Sequence, residues 1–291
     1  MLAQKRNSII TFGIQFGTMI RMKKLILPVW LLATFLLPAL YAFNQAPKDE
    51  VLYELKPLKN NAFTFGEKLR YRIHYGLLTG GYADFQVSEK PEIVNTRQTY
   101  HIKVSGKSTG IVDMMFKVKD EYESYLDVDA LVPWKAVKNV KEGNYTDKDV
   151  IIFDHRRRTA VSRRGMLQIP EGTKDIISSI YYARSLDMTG AQPGDVFPVT
   201  FYLDHKNYEF RFRFLGRETI KVEAGTFRAI KVKPQVIEGR VFKDQEAITM
   251  WVTDDENKIP LLVQSEIWVG SLKAEIVNMD GLRNPLLAKL K

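Results

Sequence analysis

Four histidines, two acidic runs and one arginine-rich run are the residues of this 291-residue chain whose types suit chemistry. His74, His101, His155 and His205 lie far apart and show neither HExxH nor HxH spacing, so no zinc-ligand pair is written along the chain. Asp120, Glu121 and Glu123 could join Asp254, Asp255 and Glu256 as the paired carboxylates that glycoside hydrolysis uses. The plainer reading makes the second run a polar hairpin turn and the first partly the solvated face of a strand. Ser178 and Ser179 sit in a segment with helical spacing and read as structural. Cysteine is absent. That excludes a thiol nucleophile, thiolate metal ligation, a disulfide framework and a lipidated amino-terminal cysteine. No catalytic residue, cofactor or metal is expected.

Binding is written more visibly than catalysis. Arg156, Arg157 and Arg158, with Arg163 and Arg164, form the densest basic run and could meet phosphate groups of lipids or of a surface glycolipid. The alternative is a solvated hairpin turning near Thr159. Phe210, Phe212 and Phe214 alternate with Arg211 and Arg213, which puts the phenyl rings on one face of a strand and the guanidinium groups on the other. The three rings either fill the core or line a groove for an acyl chain, since apolar concave pockets are how such ligands are held, and Arg211 and Arg213 are groove candidates with them.

The elements that must position these residues begin with Leu25–Phe43, an uncharged run preceded by Arg21, Lys23 and Lys24. A basic start, an apolar run and a small residue near its end is the order of a secretory signal peptide, with cleavage expected after Ala42. An uncleaved anchor over 25–43 is the rival, since about 20 apolar residues span a bilayer. Residues 1–21 read as a dispensable or mis-assigned extension before the start-like MKKL, 22–42 as the signal peptide, and 43–64 as a linker or edge segment. Residues 65–280 read as one β-rich domain, and 281–291 as a tail. The formal charge of +9 drops to +4 once the five basic residues of the first 42 are removed. The remaining charges are interspersed, unlike the dense basic face of a nucleic-acid binder.

Within the domain, period two dominates. Leu69, Tyr71, Ile73 and Tyr75 alternate with Arg70, Arg72 and His74, and Gly80–Gly81 is expected to bend or turn the chain. In DEYESYLDV, Tyr122 and Tyr125 fall out of phase, which predicts a bulge or an imperfect strand. Ile111–Lys119 reads as a short apolar segment, helical or a loop that lays Met114, Met115 and Phe116 onto the core. One main helix is expected through TKDIISSIYYARSLD, capped by Thr173. The fold class is therefore mainly β: one large curved antiparallel sheet, an open or half barrel, packed on one main helix. An outer-membrane barrel is disfavoured, because its strands need longer lipid-facing apolar rows.

The segments GEKLRYRIHYGLLTGG from Gly66, VKDEYESYLD from Val118, KEGNY from Lys141, DIISSIYYAR from Asp175, EAGTFRAIKVKP from Glu223 and MWVTDDENKIPLLV from Met250 resemble, in this order, the DUF3108 family of exported bacterial proteins. That family is named for having no assigned function. The resemblance implies a periplasmic or outer-membrane-associated β-rich protein of a double-membraned bacterium. A resemblance to open-barrel carriers of acyl chains is fold-level analogy. The full GxxxxGK[ST] phosphate loop is absent, because Gly106, Lys107 and Ser108 are preceded by His101 where the motif needs glycine.

The expectation is an exported, non-enzymatic envelope protein, acting through protein interaction or by binding a hydrophobic ligand. Its partners would be an envelope lipid or an envelope protein, without nucleic acid. The inner membrane would be touched only in passing, by the signal segment. A hydrolase using paired carboxylates on an envelope polymer is the alternative.

Overall fold

The computed structural model describes residues 53–236, 248–266 and 270–290. The leader and its cleavage site lie outside these residues. Period two becomes strand almost throughout. The chain runs β1 (Lys68–Tyr75), β2 (Leu78–Val87), β3 (Glu92–Val94), β4 (Arg97–Ser108), the short α1 (Gly110–Met115), β5 (Lys119–Asp127), β6 (Pro133–Glu142), β7 (Tyr145–Asp154), β8 (Thr159–Ser162) and β9 (Gly165–Gln168). After α2 (Ile176–Arg184) come β10 (Val196–Leu203), β11 (Lys206–Val222), β12 (Gly225–Val236), β13 (Ile248–Thr253), β14 (Pro260–Glu266) and β15 (Ser271–Asp280).

All strands join one antiparallel sheet in the order β10-β11-β12-β13-β14-β15-β1-β2-β4-β5-β6-β7-β8-β9, with β3 hairpinned onto β4. β9 and β10 end the sheet and do not pair with each other, so the sheet is open. It coils enough to bring its ends together by side chains. Tyr202 of β10 stands edge-on to Phe153 of β7 at 5.8 Å and donates its hydroxyl to Ser162 of β8. β10 tolerates Pro198 because an edge strand can spare an amide donor. Lys174 covers part of this edge through a parallel bridge to Phe201.

α2 is the one substantial helix among the described residues. Its cap is Asp175 rather than Thr173. The Asp175 carboxylate accepts the N–H groups of Ile177 and Ser178, and Ser178 Oγ accepts the N–H of Asp175, which closes a capping box. Ile177 and Tyr181 pack into a core with Phe63, Tyr100, Ile102 and Leu126. The helix is pinned by Arg184, which is buried and grips Glu67 through both guanidinium nitrogens at 2.6 and 2.7 Å. Burial works against that guanidinium charge, and the Glu67 carboxylate outweighs it.

Four expectations need correction. The β1–β2 turn falls at Gly76, not at Gly80–Gly81, and Gly81 lies inside β2. A Cβ on Gly81 would meet the Lys107 carbonyl oxygen at 2.3 Å, so this glycine permits close strand approach rather than a turn. Met114, Met115 and Phe116 do not reach the core; the two methionines are 87% and 82% exposed. Residues 60–64 are more than a linker, because Ala62 and Phe63 are fully buried. The stretch after 280 is no loose tail: Ala288 is buried, Asn257 and Asn284 exchange hydrogen bonds, and Lys289 bridges to Phe227.

Candidate ligand groove

Where α2 lies over β11–β14, the two surfaces do not close. An apolar cavity of about 270 Å³ remains between Ile176, Ile180 and Ala183 of the helix and Phe210, Phe212, Val232, Met250 and Val263 of the sheet. A second apolar chamber of about 190 Å³ continues toward Leu69, Tyr71, Ala83 and Phe85. The two share Ile180, Arg184, Met250, Pro260 and Val263 as walls, so they adjoin as a groove of two chambers beside the helix. Three of its polar groups are engaged, whereas the buried Tyr181 hydroxyl in the second chamber's wall has no hydrogen-bond partner. Arg184 is held by Glu67, Tyr71 donates its hydroxyl to Pro260 O at 2.9 Å, and Ser179 donates to Ile176 O. Burial pushes the Tyr71 hydroxyl pKa up, so it remains protonated. Such a surface offers dispersion and desolvation rather than proton transfer.

β11 divides its three phenylalanines. Phe210 and Phe212 are half-buried groove walls, while Phe214 is buried in a core with Met188, Ile230, Val232 and Val252. Arg211 and Arg213 face away from the groove and are exposed, with Arg211 paired to Glu209 at 2.9 Å. These two arginines are therefore not part of the groove wall.

The basic run does not assemble as one patch. Arg156, Arg157 and Arg158 lie at the β7–β8 turn, whereas Arg163 and Arg164 lie at the β8–β9 turn, at the other end of β8. Acids meet most of them: Arg157 pairs with Asp154, Arg158 with Glu171, Arg163 with Asp147 and Asp149, and Arg164 with Asp204.

The carboxylate runs do not converge either. Asp120, Glu121 and Glu123 are on β5 near its start, while Asp254, Asp255 and Glu256 form the β13–β14 turn at the opposite rim of the sheet. Asp255 organises that turn, accepting from Thr253 Oγ1 and from the N–H groups of Asn257 and Ala288. Glu123 instead accepts from His101.

The histidines are bonded rather than solvated. His101 is buried, stacks on Tyr125 at 4.1 Å, and places its ring nitrogens 2.6 Å from both Glu92 and Glu123. His74 is also buried, contrary to its place on a polar face, and contacts Gly76 O and Glu275. His155 is buried against Pro133 O, and burial pulls its pKa down to about 4. His205 is the second residue of the tight β10–β11 turn, where Asp204 and His205 both take positive φ. Among the described residues, no group of three or more His, Asp or Glu is arranged to hold a metal ion.

Sequence reasoning missed the helix side of the groove and the Arg184–Glu67 clamp. Ile180 and Ala183 were legible as helical apolar positions, but nothing local marks them as facing an unfilled space.

An open antiparallel sheet with one substantial helix among the described residues defines this as a β-rich protein. The chain belongs to the DUF3108 family: residues 70–277 match the family model described as "Protein of unknown function (DUF3108)". No curated protein matches the chain. Among solved structures, it is similar to a β-barrel-like protein of domain of unknown function DUF1849 from Brucella abortus, at 9% identity and a TM-score of 0.49, covering 75% of this chain and 99% of that one. It is also similar to a candidate lipoprotein of Parabacteroides distasonis, at 14% identity and a TM-score of 0.36, covering 77% and 100%. A candidate exported protein with YmcC-like fold from Bacteroides fragilis matches at 10% identity and a TM-score of 0.32, covering 78% and 100%.

Proposed function

We propose that this chain is an exported envelope protein that holds a hydrophobic, lipid-like ligand in the groove beside α2, without catalysing a reaction. The observation that supports it is the pair of joined apolar chambers. Together they fall within the usual range of ligand pockets, about 300–1,000 Å³. Export is supported by the basic-then-apolar leader ending near Ala42, and the reading extends to a domain in the periplasm or at the periplasmic face of the outer membrane. An acyl chain suits the wall chemistry, and Phe210 and Phe212 would flank it.

Native mass spectrometry of protein purified from an envelope fraction without detergent tests this reading. A stoichiometric extra mass that extracts into organic solvent is expected. Val263→Trp, which fills the wall shared by the two chambers, is expected to remove that mass while the protein stays folded. A Val263→Trp protein that retains the full lipid complement would rule the groove out.

A separate observation favours protein interaction as a second reading. Strand register puts the β1–β2, β4–α1–β5 and β6–β7 connections at one rim of the sheet. Leu77, Leu78, Ile111, Met114, Met115 and Phe116 are all exposed on the first two. Apolar exposure of this kind marks interaction sites. A photo-crosslinking residue at Met115 is expected to give a discrete adduct with one envelope protein; adducts spread over many proteins, or none, would count against it.

A further inference from the structure

A different cavity, of about 340 Å³, lies beneath the segment Tyr53–Leu58. The segment is tied down along its length. Tyr53 N–H donates to Arg156 O, Leu58 N–H donates to Asp129 O, and Lys56 pairs with Glu171 at 3.0 Å. The Arg158 guanidinium lies 3.5 Å from the centre of the Tyr53 ring. On the other side the wall is made by Val199 and Thr200 of β10 and by Lys174.

Lys174 is held there by its backbone. Its N–H donates to Thr200 O and its carbonyl accepts from Tyr202 N–H, so the side chain is carried into the cavity by the same bridge that covers the sheet edge. The residue is 4% exposed. Its ammonium donates to Gly172 O and sits 4.2 Å from the centre of the Tyr182 ring. No carboxylate among the described residues pairs with it. Asp175, its neighbour in sequence, is committed to Ser124 and to the α2 cap. Glu171, in the cavity wall, is shared by Lys56 and Arg158, and Glu54 is exposed on the covering segment.

Lysine is almost never buried without a partner, and an ammonium carries three donors. Here one protein acceptor meets them. Burial pulls the Lys174 pKa down to about 8, which still leaves the cation dominant at neutral pH. A second donor in the same wall is also unmet: Arg158 Nε is buried with no hydrogen-bond partner. His155, in that wall too, is neutral at this pH and adds no competing charge.

We propose that this cavity binds the oxyanion group of a small molecule, a phosphate or a carboxylate, with Lys174 as the anchoring cation and Arg158 as the second donor. The volume suits a small molecule rather than a polymer, and the site is independent of the apolar groove. The ligand's oxygens would complete the donors that the protein leaves open, with Tyr53–Leu58 as the cover.

Calorimetric titration of the full chain with inorganic phosphate, acetate and hexyl phosphate tests the site. One-to-one binding of at least one of these is expected. Lys174→Met keeps the unbranched stem and removes the charge; it should weaken that binding by about ten-fold or more, as loss of a charged hydrogen bond does. Arg158→Gln should weaken it less, and Lys148→Met, on an exposed lysine of β7, should leave it unchanged. Phosphate binding would mark a free anion, and binding of hexyl phosphate alone would mark a lipid or ester headgroup. Absence of binding by all three probes, or equal affinity in the Lys174→Met protein, overturns the proposal. Amine acylation of the unaltered chain, read by peptide mass spectrometry, gives a check that does not depend on a variant folding. The bound probe should slow modification at Lys174 and not at Lys148, and equal rates with and without probe overturn the site.

Discussion

The two flanks of α2 carry the same kinds of residue and end differently. On one flank Ile177 and Tyr181 meet Phe63 and Tyr100, with ring centroids 4.8 Å apart for Phe63–Tyr181 and 5.0 Å for Phe63–Tyr100, both edge-on. On the other, Ile180 and Ala183 face Phe210, Phe212 and Met250 across open space. The first flank is filled because the segment before β1 is drawn into it. Asn60 bonds the N–H groups of Ala62 and Phe63, Arg184 donates to Ala62 O, and the Phe63 ring is thereby set over the helix. Among the described residues no segment does this on the second flank. An aromatic strand face pointing inward is thus compatible with a closed core and with a groove; a third segment decides.

The largest test of this contrast is the clamp that holds the filled flank. Glu67→Gln leaves the buried Arg184 charge uncompensated, and about 3–5 kcal/mol of stability is expected to go in urea unfolding. Adding Arg184→Met to the same protein should restore much of it. A Glu67→Gln protein as stable as the parent would mean that the pair does not hold the helix. Next, Phe63→Ala should cost about 3–4 kcal/mol, in line with truncation of a buried phenyl ring, whereas Phe212→Ala should cost below about 1 kcal/mol because its ring already borders empty space. Equal losses would erase the distinction between the flanks.

A third test is a pH dependence confined to the filled flank. Asp127, at the end of β5 beside that core, is buried, which by itself would raise its pKa. Hydrogen bonds from Arg97, from Trp134 Nε1 and from the N–H groups of Ala130 and Asp129 outweigh burial and hold it below the ordinary aspartate value. A carboxylate with a depressed folded pKa contributes stability that is present above its unfolded pKa, about 3.9, and lost as pH falls through the lower folded value. Asp127→Asn should therefore flatten the acid limb of stability below about pH 5, and lower stability at neutral pH by about 1.5–3 kcal/mol. An unchanged acid slope would remove Asp127 from the account.

Much of the sheet was legible. Alternation at Leu69–Tyr71 and Tyr208–Phe214 is a local property, because successive side chains on a strand point to opposite faces, but in β1 a register shift between Ile73 and His74 reverses it, burying His74 and exposing Tyr75. The irregularity in β5 was legible too, and it falls between Tyr125 and Leu126. The site was legible in part: Phe210 and Phe212 could be placed on an inward face, but their separation from Phe214 could not. Met114, Met115 and Phe116 misled, since apolar type argued for burial and the short α1 leaves them at the rim. Lys174 gave no signal at all, because a lysine before a helix cap is ordinarily a solvated residue.

By itself the sequence determined the antiparallel sheet, its facing pattern, one main helix and the absence of thiol chemistry, all of which follow from residue type and short-range period. The tertiary structure alone decided that, among the described residues, one flank of α2 closes and the other stays open, that Arg184 finds Glu67, and that Lys174 is buried without a carboxylate. These depend on segments far apart in the chain meeting in space, and no local pattern records whether the volume between them is filled.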